Sequence, residues 1–130
     1  MNTKSETEFQ WSVKLTGDQF FHVGLATKFK CRNERIYNHD SEAIFYSSVG
    51  NVLVGQKHHR NLPEQHSGDI ISFRFHPQTK KLFIRLTRVV KFHEWTVSVA
   101  VKDNINYFPF AQLCGGDALD ANLINYDSKT

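Results

Sequence analysis

Strict alternation of apolar and polar side chains, repeated in short segments, is the feature that most constrains this chain. In the first such segment every second side chain is large and apolar: Phe9, Trp11, Val13 and Leu15. The same period of two recurs in residues 71–75, 82–87 and 95–101. Successive side chains of a strand point to opposite faces, so this period predicts half-buried β-strands, each with one face on a core.

Turn-forming residues separate these segments, and no long stretch has the period of a helix. The pattern predicts about nine strands, joined mostly by short turns. The predicted strands are 9–15, 20–26, 44–48, 52–55, 71–75, 81–87, 95–101, 107–113 and 121–124. Such a series favours an all-β fold, either an antiparallel β-sandwich or a barrel.

The length of 130 residues predicts one domain, large enough to bury a core without disulfides. We assign residues 1–8 to a flexible lead-in, 9–125 to the domain and 126–130 to a flexible tail, because both termini are polar. No apolar run is long enough to cross a bilayer, and the first residues lack the apolar core of a signal peptide. We therefore expect a cytoplasmic or nuclear protein without a membrane partner.

Three details of the strands carry further expectations. Gly24 inside a predicted strand indicates a bulge or a close backbone approach. Phe83 on a nominally polar face indicates that its strand is covered on both sides. Phe45, Tyr46 and Tyr37, beside loops, are candidates for an exposed recognition patch, whereas the alternating aromatic residues belong to the core.

Catalytic and metal-binding patterns are missing from the sequence. The seven histidines show no HxH or HxxxH spacing, and neither cysteine has a companion at metal-ligand spacing. Ser47, Ser48 and Ser67 lie near histidines in the sequence, but no GxSxG elbow is present. We therefore predict no catalytic residue, no metal and no cofactor.

The net charge of +3 is mildly basic, and the lysines and arginines are scattered along the sequence. A nucleic-acid-binding protein concentrates its positive charge on one face or arm. Solvated loops explain the scattered pattern better than a phosphate-binding surface does, so nucleic acid is not favoured as a partner.

Five short motifs follow one another along the chain: FHVGLA (21–26), YSSVGNVLVGQ (46–56), GDIISFRF (68–75), KKLFIRL (80–86) and YFPFAQLCGGDALDANL (107–123). Together, in this order, they resemble a SPRY domain, the module also called B30.2 in its longer form. The resemblance covers residues 11–125. It implies a bent antiparallel β-sandwich of the concanavalin-like type that binds peptide segments or protein surfaces through loops at one end, without enzymatic activity.

The resemblance also implies where a partner binds. In peptide-binding members the pocket is formed by the strand after the central hairpin and by the segment before the last strand. Carried onto this chain, these places are Val54, Gln56, Lys57, Leu113, Cys114 and Gly115. Val54 stands where such members often have tyrosine and Cys114 where they often have tryptophan, so the family's familiar acidic peptide is not implied as the ligand.

The sequence thus predicts an adaptor or scaffold that binds a protein or peptide, including within a larger assembly such as a ubiquitin ligase. Its surface would combine three loops, residues 27–41, 57–67 and 113–117, and includes Tyr37. Arg32, Lys57 and Arg60 favour a partner segment with net negative charge. The alternative is a carbohydrate-binding, lectin-like sandwich, for which Tyr37, Tyr46 and Asp117 are the only candidate residues.

Overall fold

The computed structural model describes residues 1–4, 8–17, 20–27, 40–55, 57–113 and 121–128, with side chains in these ranges except at 113 and 121–128. Within them the chain forms ten β-strands and one turn of 3₁₀ helix, Val89–Lys91. The strands are β1 (Phe9–Leu15), β2 (Phe21–Ala26), β3 (Ile44–Ser47), β4 (Asn51–Val54), β5 (Lys57–Asn61), β6 (Ile70–His76), β7 (Lys81–Arg88), β8 (His93–Ala100), β9 (Phe108–Leu113) and β10 (Ala121–Ser128).

The strands form two five-stranded sheets, and the predicted all-β antiparallel sandwich is confirmed. The first sheet has the order β10-β1-β6-β7-β8 and the second the order β5-β4-β3-β2-β9. All paired neighbours run antiparallel. An antiparallel sheet can bury one face and leave the other to solvent, as β6 and β7 do here, whereas every side chain of β2 and β3 is buried.

The core lies between the two sheets and consists of the alternating apolar residues. Phe9, Trp11, Val13 and Leu15 are buried, as are the inward positions of β6 and β7. Trp11 and Phe73, which pair across β1 and β6, stack with ring centroids 5.3 Å apart. This inner face is where the free energy of folding is gained, since burying each large apolar side chain contributes about 1.5–3 kcal/mol.

Gly24 marks a close backbone approach rather than a bulge. The pairing of β2 with β3 and with β9 continues through Gly24 without a register shift. A Cβ atom at this position would lie 2.1 Å from the carbonyl oxygen of Ile44 and 2.6 Å from Cα of Phe45. No side chain fits there, so the sequence requires glycine.

Phe83 is not covered by the second sheet. It pairs with Arg74 of β6 and Ser98 of β8 on the outer face of the first sheet, where it is half-buried beside the ring of His76, at 4.7 Å between centroids. The expectation that β7 is covered on both sides by a sandwich partner was therefore wrong. The phenyl ring is sheltered by neighbouring side chains of its own sheet.

Strand β5 was missed by the sequence analysis, which placed residues 57–67 in a loop. All five of its side chains are exposed, so its sequence KHHRN has no apolar alternation to reveal it. β5 pairs with β4 through an irregularity beside His59. The His59 ring reaches the first sheet, where Nε2 lies 3.0 Å from the carbonyl oxygen of Ser98.

The first residues differ from the predicted flexible lead-in. Thr3 is fully buried, its backbone N–H donates to the carbonyl of Ile105 at 2.9 Å, and its hydroxyl accepts from the same residue's N–H at 2.9 Å. Asn2 forms a β-bridge with Asn106. At the other terminus β10 continues to Ser128, beyond the predicted end at Ile124.

We predict that two phenylalanines on adjacent strands differ sharply in their contribution to stability. Phe73→Ala removes a fully buried ring and should lower the free energy of unfolding by about 3–5 kcal/mol. Phe83→Ala removes a half-buried ring from the outer face and should cost less than about 1.5 kcal/mol. Urea unfolding followed by tryptophan fluorescence measures both, and equal losses would contradict the assignment of faces.

Candidate functional site

The antiparallel register gives the sandwich two distinct ends. At one end β1 finishes at Leu15, β7 at Arg88 and β9 at Leu113, while β2, β6 and β8 begin. Hydrogen bonds tie the turns of this end together: Gly68 N–H donates to the Leu15 carbonyl at 2.7 Å, and Gln65 N–H to that of Ser48 at 2.9 Å. The two sheets are thereby joined at the level of their turns.

The exposed large hydrophobic side chains of the described residues all lie at this end. Their exposed fractions are 88% for Val90, 87% for Phe92, 51% for Val49, 44% for Val89 and 36% for Phe20. We call this the apolar end. Single exposed apolar residues are ordinary on a protein surface, but their concentration in one region is typical of an interaction surface.

The most exposed of these residues lie in the β7–β8 turn, residues 89–92. Phe92 ends the 3₁₀ turn in the left-handed region, with φ 52°, and its N–H donates to the Val89 carbonyl at 3.3 Å. A bulky residue with positive φ is uncommon and costs free energy. The turn therefore presents an aromatic ring to solvent in a conformation that glycine or asparagine would adopt more easily.

A buried ion pair supports the turn from below. The Arg88 guanidinium donates to both carboxylate oxygens of Asp69, at 3.2 Å from Nε and 3.0 Å from Nη2. The Asp69 side chain is 2% exposed. Arg88 also donates to the Glu64 carbonyl at 2.9 Å and lies 5.1 Å above the Trp95 ring. The hydrogen bond with Asp69 raises the pKa of Arg88 above its ordinary value, so the guanidinium stays charged.

Tyr46 and Phe45, expected in an exposed recognition patch, are fully buried. The Tyr46 hydroxyl donates to the Pro63 carbonyl at 2.7 Å, and burial raises the pKa of this phenol well above its ordinary value. Their assignment as recognition residues was wrong: all four side chains of β3 are buried, with Tyr46 in the core and Phe45 in a second apolar cluster with Ala26 and Ala43. Tyr46 instead fixes the segment that precedes β6.

Of the partner-binding residues predicted from the sequence, the structure describes Val54, Lys57, Arg60 and the backbone of Leu113. Val54 is half-buried at the end of β4, while Lys57 and Arg60 are exposed on the edge strand β5. The others lie outside the described residues: Arg32, Tyr37, Gln56, Cys114 and Gly115. Asp117 and most of the loop 27–41 lie outside them as well.

The described members of this set do not form one cluster. Val54 pairs with Ile44, which pairs with Leu25, whereas Leu113 pairs with Phe21. Leu25 and Phe21 are four positions apart in β2, which corresponds to about 13 Å along the strand. Val54 and Lys57 therefore lie at the end opposite to Leu113. The backbone of Leu113 belongs to the apolar end, whose exposed turn 89–92 the sequence analysis had not singled out.

Metal and membrane sites find no support in the part of the chain that the structure describes. Its His, Cys, Asp and Glu side chains form no group of three that could hold a metal ion. His58 is instead 2.6 Å from the Asn61 side-chain oxygen. No helix within the described ranges is long and apolar enough to span a lipid bilayer.

Comparison with solved structures shows that the fold is SPRY-like. The SPRY domain of human HERC1 superimposes with a TM-score of 0.63 at 12% sequence identity, over 92% of this chain and 72% of that one. The architecture therefore agrees with the resemblance carried by the five motifs. No family model matches the sequence, and no curated protein matches it.

Two winged bean lectins share the sandwich architecture. The basic lectin, solved with Tn-antigen, gives a TM-score of 0.55 at 11% identity over 84% of this chain, and the acidic lectin, complexed with methyl-α-D-galactose, gives 0.58 at 13% identity over 85%. The chain spans 61% and 63% of the length of these lectins. This chain thus shares its fold with a SPRY domain and with two lectins.

We predict that the Arg88–Asp69 pair is required for stability, whereas the exposed Arg74–Glu8 pair is not. Arg88→Met leaves a buried carboxylate without its cation and should lower the free energy of unfolding by about 3 kcal/mol. Arg74→Met breaks an ion pair of 2.5 Å whose side chains are 50% and 34% exposed, and should cost less than about 1 kcal/mol.

Chemical denaturation of both variants at pH 7 measures this difference. The double variant Asp69→Asn, Arg88→Met should regain part of the loss, because a neutral amide is cheaper to bury than an unpaired carboxylate. Equal losses for the two single variants would contradict the structural role assigned to Arg88.

Proposed function

We propose that this chain is a non-enzymatic interaction module that docks a partner protein or peptide through its apolar end. The observation that carries the proposal is the location of the exposed large hydrophobic side chains, which in the described residues lie at that end. A SPRY-like sandwich supports it, since a rigid scaffold holds binding loops at low entropic cost.

The β7–β8 turn is the natural anchor of such an interface. Val90 and Phe92 project almost completely into solvent, while Arg88 and Trp95 hold the base of the turn. Aromatic anchors that enter a pocket of the partner dominate the binding free energy of many interfaces. The Phe92 ring, positioned by a left-handed backbone, is suited to this role.

Exposed positive charge at this end favours a negatively charged partner. Lys91 stands between the two exposed apolar residues, and Arg60 lies near the same end on β5, one residue before Asn61, which pairs with Asn51 of β4. An apolar pocket with acidic residues at its rim would complement this surface. The predicted preference for a negatively charged partner is therefore carried at this end by Arg60 and Lys91, whereas Lys57 lies at the opposite end.

The role that follows is that of an adaptor or scaffold. In such a role the module holds a partner, including within a larger assembly such as a ubiquitin ligase, and the chemistry resides elsewhere. The resemblance to SPRY domains supports this role, and the cytoplasmic or nuclear location expected from the sequence accords with it.

Carbohydrate binding is the second candidate, and the lectin neighbours favour it through their shared architecture. Of the residues that the sequence offered for it, Tyr46 is buried and therefore cannot stack on a sugar. Tyr37 and Asp117 lie outside the described residues. Tyr46, the one described residue of this set, therefore gives no support to carbohydrate binding, and we favour a protein partner.

We predict that changing the turn removes partner binding without unfolding the domain. The turn variant combines two substitutions. Val90→Ser removes one exposed apolar side chain, and Phe92→Asn replaces the ring by a residue that tolerates positive φ. Quantitative affinity enrichment with mass spectrometry should show partners of the wild-type protein depleted at least about tenfold. Stability should change by no more than about 0.5 kcal/mol.

Two further variants make the test specific. Arg60→Ala on β5 should weaken binding less than the turn variant and mostly at low salt, because its side chain is exposed near the apolar end. Unchanged binding by this variant would remove Arg60 from the site. Lys102→Ala, exposed at the opposite end, should bind like wild type. Partners retained in full by the turn variant would refute the proposed docking end, and selective glycan-array binding would favour the second candidate.

A further inference from the structure

The outer face of the first sheet carries a hollow that the proposed docking end does not use. Its volume is about 270 Å³, and it is lined by Gln10, Ser72, Arg74, His76, Phe83 and Arg85. These residues come from β1, β6 and β7, the three central strands of the sheet. The hollow therefore rests on the most firmly paired part of the fold.

Cross-strand register explains why these side chains meet. Gln10, Arg74 and Phe83 occupy one row across the three strands. Ser72 and Arg85 pair in the next row on the same face. Directly paired side chains lie about 4.5–5.5 Å apart at Cβ, so long side chains from both rows can reach one ligand.

The described lining contains two guanidinium groups and no carboxylate, and each guanidinium has one glutamate neighbour that is not part of the lining. Arg74 is bound to Glu8 at 2.5 Å. Arg85 lies 3.9 Å from Glu94, longer than a hydrogen bond, and both side chains are more than half exposed. Its planar group, with five N–H donors, is thus held less firmly by that carboxylate and suits an anionic oxygen group.

The lining is also partly apolar, which narrows the class of ligand. Phe83 is half-buried, and the tilted ring of His76 lies 4.7 Å from it. A cavity of about 150 Å³ accepts a benzene molecule, so about 270 Å³ has room for one ring with an anionic group attached. A bare inorganic anion would leave the aromatic side of the hollow unfilled.

We propose that this hollow is a second binding site, for a small ligand or side group in which an anionic oxygen group is attached to a flat apolar body. The anionic group, a phosphate ester or a carboxylate, binds Arg85 with support from Ser72 and Gln10. The apolar body packs on Phe83. The site does not depend on the apolar end, so either can exist without the other.

Titration of the wild-type protein with phenyl phosphate, benzoate, inorganic phosphate and phenol, followed by two-dimensional amide NMR, tests the proposal. Phenyl phosphate or benzoate should produce saturable shifts centred on Ser72, Phe83 and Arg85, and the tighter of the two identifies the anionic group. Phosphate and phenol should each bind at least about tenfold more weakly, since each lacks one half of the ligand.

Point variants distinguish specific binding in the hollow from general electrostatic attraction to a basic surface. Arg85→Gln and Phe83→Ala should each weaken the better probe at least about tenfold. Lys14→Gln lies on the same face of β1 as Gln10 but outside the hollow. It should leave the affinity for that probe within about twofold of the wild-type value. Each variant's amide spectrum must retain the wild-type dispersion, and Arg85→Lys replaces Arg85→Gln if it does not.

The proposal is overturned if no probe gives saturable shifts, or if Lys14→Gln weakens binding as much as Arg85→Gln. Inorganic phosphate binding as tightly as phenyl phosphate would also overturn it, because Phe83 would then contribute nothing. None of these results bears on the apolar end, whose partners are measured with the turn variant.

Discussion

The two sheets are held together by side chains at alternate positions of β1, β6 and β7, which bury their rings and branched groups against the second sheet. Phe73, Phe75, Leu82, Ile84 and Leu86 are fully buried, and the residues between them face solvent or the outer hollow. A shift of one residue in the register would exchange these faces, so burial fixes the pairing of the central strands. The positions of the turns and of the hollow follow from that register.

Alternation made much of this fold predictable from the sequence. The bounds of β1 were predicted as found, because its period of two is clear. Those of β3 and β4 were predicted to within one residue, because turn residues separate two short runs of β-forming side chains. β5 was not predicted because none of the side chains of its sequence KHHRN is buried, and only its pairing with β4 defines it as a strand. The burial of Tyr46 was not predicted either, since a short apolar segment does not reveal which faces of its strand are covered.

The candidate site was less predictable than the fold, because sequence alone does not show which turns share an end. Lys57 and Leu113 were grouped by resemblance, yet the register places them at opposite ends. The exposed turn 89–92 carries no motif: its apolar residues resemble a continuation of β7 until the chain reverses. Similarly, Phe83 showed an irregular pattern in the sequence, but only the structure shows that it lines a hollow with Arg85.

A rigid framework therefore carries the exposed features of this surface. The turn that carries Val90 and Phe92 stands on a paired and buried framework, and Arg88 connects the two through Asp69. This arrangement separates stability, which resides between the sheets, from recognition, which resides on their rim and outer face.

Residue-resolved native-state hydrogen exchange measures this separation of stability from recognition. We predict that amides of β6 and β7, such as Phe73 and Ile84, exchange only through global unfolding, whereas the N–H groups of Val90 and Lys91 exchange quickly from a solvated turn. Strong protection of those turn amides together with rapid exchange in β6 and β7 would contradict it.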